Sequence, residues 1–95
     1  MKRDEALTIL KSQMSLLQSR FGVKRAGLFG SVARDEAGAD SDIDIVVEMA
    51  PDLFLMVHAK EALEAAFHAP VDLVRYRERM NPFLKKRIDQ EAVYA

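Results

Sequence analysis

The chain contains no cysteine. That excludes a disulfide framework, a zinc site built on thiolates and a thiol nucleophile, and it fits a reducing cytosol. No apolar run approaches the length of a membrane span and no signal peptide is visible, so the cytoplasm is the expected location. An excess of positive charge is missing too. With 14 Lys and Arg against 15 Asp and Glu the net charge is −1, and direct nucleic-acid binding is not expected. Internal repeats, low-complexity tracts and linkers are absent as well.

What is present is a folded globule. Of the 95 residues, 49% are apolar, well above the disordered range, and the length suits one domain, residues 1–95, with one modest core. The charges are segregated. Acids gather in 35–52, while Arg75, Arg77, Arg79, Lys85, Lys86 and Arg87 crowd the C-terminal quarter. Such a basic cluster is usually a solvated helix face, although it could hold an acidic partner or RNA. No aromatic residues interleave with it to make a nucleic-acid platform.

Periodicity predicts a helix over 4–20, with Leu7, Leu10, Met14 and Leu17 at three- and four-residue steps, Ile9 and Leu16 widening the stripe, Asp4 as cap and Gly22 as stop. Val23 to Phe29 reads as a strand, and Gly27 inside it suggests a close backbone approach. A short helix over 31–37, capped by Ser31, and a strand over 42–49 follow. Residues 51–67 read as a helix with Pro51 at its first position and Leu53, Met56, Val57, Leu63 and Phe67 on its apolar side. Val71 to Val74 is a short strand. Asn81-Pro82 starts a last helix of about 82–92, with Phe83, Leu84, Ile88 and Val93 inward. The order α-β-α-β-α-β-α is that of a small α/β domain. The short link between the first two strands allows an antiparallel pair, hence a mixed sheet flanked by helices.

The chain is organised around residues 27–48. A Gly-Ser step, Gly30-Ser31, follows the first strand and opens the short helix, whose unpaired N–H groups would suit an anion. A polar turn from Gly38 to Ser41 then leads into Asp42-Ile43-Asp44, where alternation puts the two acids on one face of a strand, roughly 6.5 Å apart. Paired carboxylates repel, and a hard divalent cation is the usual remedy. An anion seat beside a metal seat is what a nucleoside triphosphate needs.

Gly30-Ser31-x-Ala33-Arg34 followed by Ser41-Asp42-Ile43-Asp44 resembles the minimal nucleotidyltransferases of the polymerase-β-like superfamily, and the resemblance covers nearly the whole chain. One position departs: many members have Gly after the Arg, and this chain has Asp35, where a negative charge suits a helix dipole but would face a phosphate. The resemblance implies a metal-dependent transfer of a nucleoside monophosphate, AMP from ATP, to a hydroxyl. Stand-alone members of this size often act as antitoxins that neutralise a HEPN-domain ribonuclease toxin, some by adenylylating it. Members that modify aminoglycosides or extend RNA carry an extra domain for the acceptor, so a protein acceptor is expected here.

The candidate residues follow. Asp42, Asp44 and Asp72 are the catalytic and metal-holding acids, provided the strand bearing Asp72 neighbours the second strand. Two magnesium ions would then serve the acceptor hydroxyl and the triphosphate. Gly30 and Ser31 cradle phosphates. Arg34 reaches the phosphates or pairs with Glu36 or Asp40, and Ser41 closes the turn beside the nucleotide. His58 and His68 read as helix surface. The alternative function is a catalytically weak module that inhibits its partner toxin by stoichiometric binding.

Overall fold

The structure, a computed structural model, describes residues 1–38 and 42–95. Among the described residues four helices and four strands alternate: α1 (Arg3–Phe21), β1 (Arg25–Phe29), α2 (Gly30–Ala33), β2 (Ile43–Glu48), α3 (Leu53–Phe67), β3 (Val71–Arg75), α4 (Pro82–Glu91) and β4 (Val93–Tyr94). The strands form one mixed sheet in the order β3-β2-β1-β4. β1 runs antiparallel to β2 and to β4, whereas β2 and β3 are parallel. The mixed α/β sandwich is therefore as expected, with one strand more than the sequence suggested.

Alternation along the strands sorts the two faces. Ala26, Leu28, Ile43, Ile45, Val47 and Val71 pack with Leu10 and Leu17 of α1 and Ala59, Leu63 and Phe67 of α3. Their neighbours Phe29, Val46 and Val74 point the other way and pack with Ile88 and Leu84 of α4. Leu10, Leu17, Leu28, Ile45 and Leu63 are fully buried, so this two-layer burial of aliphatics supplies most of the driving force. Among the described residues α4 is the helix that packs on this face, and it covers it in part.

Several sequence boundaries shift for local reasons. α1 begins at Arg3, so Asp4 lies inside the first turn, and Lys2 is the cap position without a side-chain bond. Gly22 does end the helix, in the left-handed region at φ 67°. α2 is shorter than 31–37, because Asp35 takes a left-handed conformation at φ 61° right after the turn. Phe29, not Ser31, holds its cap position. That places Asp35 behind the helix, where it accepts the Arg3 backbone N–H at 3.0 Å, rather than in the first turn. α3 starts at Leu53, two residues after Pro51, since the Asp52 carboxylate caps the Leu55 N–H. Asn81 caps α4 through Phe83 and Leu84, as the Asn-Pro signal predicts.

Three apolar residues expected on inward faces are exposed: Leu53 (77%), Val57 (47%) and Phe83 (79%). Each sits on the first or second turn of its helix, and Leu53 and Val57 border an open groove with Leu73 of β3. Val93, expected on the last helix, belongs instead to β4. Ala92 breaks helical geometry at ψ 132°, and Val93 and Tyr94 pair with Leu28 and Gly27. Gly27 makes that closure possible, because a Cβ there would lie 2.9 Å from Cδ1 of Tyr94 and 3.1 Å from the Val93 carbonyl. The Arg25 guanidinium stacks on the Tyr94 ring, 3.8 Å from its centroid.

Lining the same cavity as Arg25 and Tyr94, the Tyr76 hydroxyl donates to Asp89 at 2.8 Å. This bond stabilises the protonated phenol and, with the Asp89 charge, raises its pKa to about 12. The sign follows: the contribution to stability is full below the ordinary pKa of 10 and is lost as pH climbs through about 12. Phenolate absorbance, assigned with Tyr76→Phe, should show Asp89→Asn bringing the Tyr76 titration back towards its ordinary range. An unshifted titration in Asp89→Asn would sink this assignment.

Candidate active site

The uncovered part of the α4 face carries the acids. In β2 the alternation places Asp44 on the same side as Val46, which α4 covers, and Asp42, the residue before the strand, stands two positions from Asp44. In β3 it places Asp72 on the side of Val74. The two strands run parallel in a register that sets Asp44 directly beside Asp72. Neighbouring strands lie about 4.8 Å apart, so those carboxylates start from adjacent backbones. The condition placed on Asp72 by the sequence is met. Asp42 and Asp72 are exposed, while Asp44 is half-buried.

Gly30 closes the site from the β1 side. Phe29 ends β1 opposite Asp44, and the chain turns straight into α2 through Gly30 at φ 73°. A Cβ on Gly30 would collide with Oδ2 of Asp44, so the absence of a side chain is what lets the carboxylate lie against the turn. Ser31 is half-buried in the first turn of α2, and its hydroxyl makes no hydrogen bond among the described residues. Ser41 lies outside the described residues, as does Asp40, one of the partners considered for Arg34.

The electrostatics agree with convergence. Burial, then the Asp72 charge, pushes the Asp44 carboxyl above its ordinary range. Asp42 adds to the rise, while Arg87 and Arg34 oppose it. The Arg87 charge thus acts on Asp44, a role that its membership of a basic cluster did not single out. Arg34 pairs with Glu36 at 3.0 Å, as the sequence allowed.

Its other partner was not foreseen. Glu91, the last residue of α4, meets Nη1 of Arg34 at 2.9 and 3.0 Å and accepts the Gly30 N–H at 3.2 Å. Helical spacing suggests a pair with Arg87 instead, so no sequence signal leads from Glu91 to a glycine 61 positions away. His58 stacks its ring edge on Phe54 and His68 is the exposed cap of α3, so neither touches the acids.

Among the described residues, no three Asp, Glu, His or Cys side chains already close around a point that could hold a metal ion. The donor set nevertheless fits a hard divalent cation. It consists of carboxylate oxygens alone, from adjacent strands, repelling one another at Asp44, with the Arg87 and Arg34 charges offsetting them only in part.

A model of the nucleotidyltransferase domain matches residues 10–95. The chain belongs to that family. This nucleotidyltransferase is 39% identical over 93 residues to a protein of Thermococcus cleftensis named protein adenylyltransferase MntA, covering 96% of the chain and 93% of the relative. It is also similar to a solved structure described provisionally as a minimal nucleotidyltransferase, with a TM-score of 0.81 and 34% identity over 98% of this chain and 95% of the other. A third match is to a structure of a tri-AMPylated Shewanella oneidensis HEPN toxin in complex with an MNT antitoxin. There the TM-score is 0.68 at 20% identity, over 97% of this nucleotidyltransferase and 70% of the matched chain, a likeness of fold alone.

Proposed function

We propose that this chain moves AMP from ATP to a hydroxyl of a protein acceptor, and that the acceptor is a HEPN-domain ribonuclease toxin which it neutralises in the cytoplasm. The observation that carries the reading is the alignment of Asp44 with Asp72 beside the Gly30 turn, where a missing side chain lets the Asp44 carboxylate lie against the start of α2. The name of the Thermococcus relative and the AMP groups of the Shewanella toxin support the acceptor class.

Each residue then has a task. Ser31 offers its hydroxyl, and the first turn of α2 its N–H groups, to the triphosphate. Arg34 sets positive charge beside the phosphates. Asp42, Asp44 and Asp72 would hold magnesium, two ions by this reading, which when bound supplies charge that neutralises the phosphoryl oxygens in the transition state. The acceptor oxygen forms a bond to the α-phosphorus, the bond to pyrophosphate breaks, and Asp72 accepts the hydroxyl proton. Asp42 and Asp72 are exposed on a face that α4 leaves partly open, so an acceptor as bulky as a folded protein can reach them.

A second reading, stoichiometric inhibition without transfer, is favoured by one feature: Glu91 already occupies the Gly30 N–H and Arg34. Incubation with α-phosphate-labelled ATP, magnesium and the toxin separates the two. Label on the toxin and released pyrophosphate are the expected result. Neutralisation without label, unchanged when Asp42 and Asp44 are both replaced by Asn, would overturn the enzymatic reading in favour of the binder.

A further inference from the structure

Glu91 reaches the site from the far end of the chain and takes hold of donors that the reading above assigns to phosphate. One carboxylate oxygen accepts the Gly30 N–H at 3.2 Å, and both face Nη1 of Arg34 at 2.9 and 3.0 Å. To a guanidinium and an amide, a carboxylate and a phosphate offer the same feature, paired oxygens sharing negative charge. One N–H cannot serve both well.

The surroundings sharpen the conflict. A phosphate arriving with Glu91 in place would meet a fourth carboxylate beside Asp42, Asp44 and Asp72, against the two guanidinium groups of Arg34 and Arg87. Glu91 can leave cheaply. It is the last residue of α4, its side chain is 22% exposed, and the helix stays closed by the Ala92 N–H to Ile88 carbonyl bond. Side-chain rotation alone would carry the carboxylate to water while Ile88 keeps α4 docked.

We propose that Glu91 sets the nucleotide affinity of the site, its carboxylate occupying the phosphate donors until the nucleotide displaces it. This rests on the placement of the triphosphate at Gly30 and Arg34 under the proposed function. In consequence, an internal anion holds Arg34 oriented when no nucleotide is bound, and the Glu91 side chain turns out to water when one binds, α4 staying docked.

The test measures affinity and not turnover. Titration calorimetry of the full chain with magnesium and adenosine α,β-methylene triphosphate, which cannot transfer AMP, should give a Kd about tenfold lower for Glu91→Gln than for wild type, as expected when a charge-assisted competitor is removed. Glu36→Gln removes a charge from Arg34 without touching Gly30 and should change Kd by less than about twofold. Should Glu91→Gln fail to fold, Glu91→Asp, one methylene shorter, takes its place and should also bind more tightly.

Weaker binding by Glu91→Gln would mean that Glu91 holds Arg34 ready for phosphate, and would overturn the proposal. Equal tightening by Glu36→Gln would overturn it too, since net charge alone would then suffice. Absence of binding by wild type and every variant would instead sink the nucleotide reading itself.

Discussion

Asp44→Asn should lose AMP transfer by on the order of a thousandfold or more, while the protein without magnesium stays at least as stable as wild type. The two effects have one cause. Asp44 is half-buried beside Asp72, and burial followed by that charge makes its ionised form unfavourable in the folded state. A neutral amide of the same shape removes the repulsion and keeps the packing. It also removes the donor on which a hard cation depends.

Thermal unfolding with and without magnesium makes the comparison sharp. Wild type should gain stability from the ion by mass action, and Asp44→Asn should gain little. Asp42→Asn and Asp72→Asn should follow the same pattern, with smaller changes in unliganded stability because both side chains are exposed. Transfer by Asp44→Asn within about tenfold of wild type would remove the acids from the chemistry.

Gly30→Ala should be the most damaging single methyl in the chain. The residue sits at φ 73°, where an L side chain costs about 1–2 kcal/mol. The added Cβ also runs into the Asp44 carboxylate, an overpacking that costs about 1–3 kcal/mol or expels Asp44 from its place. Together these predict a fall in Tm of about 10 °C or more for a domain of this size. Transfer should drop by on the order of a hundredfold, since a displacement of about 1 Å at a catalytic group has that effect.

Gly22→Ala is the internal comparison. Gly22 has a similar φ of 67° but nothing within 4 Å of its would-be Cβ, so it should lose the conformational part alone and keep transfer. If the two variants melt together and transfer equally well, the close contact between Gly30 and Asp44 has no functional weight.

How much of this was legible beforehand varies with the range of the interaction. The acid alternation of 42–44 and the Gly-Ser step are local, and strand geometry carries them directly into shared faces. Asp72 could be named, but its role waited on which strand lies beside β2; the parallel register that sets it against Asp44 is a long-range choice. Leu53, Val57 and Phe83 misled for the opposite reason. Their helical spacing is apolar, yet spacing cannot say which part of an apolar stripe a neighbouring element covers.

By itself, then, the sequence determined the α/β order up to α4 and the family, because each is written in neighbours a few positions apart. Tertiary structure alone decided that Tyr94 closes on Gly27, that the Arg87 charge acts on Asp44, and that Glu91 claims Gly30 and Arg34. Those partners are separated by tens of residues, and only the packing of α4 against the sheet brings their charges within reach.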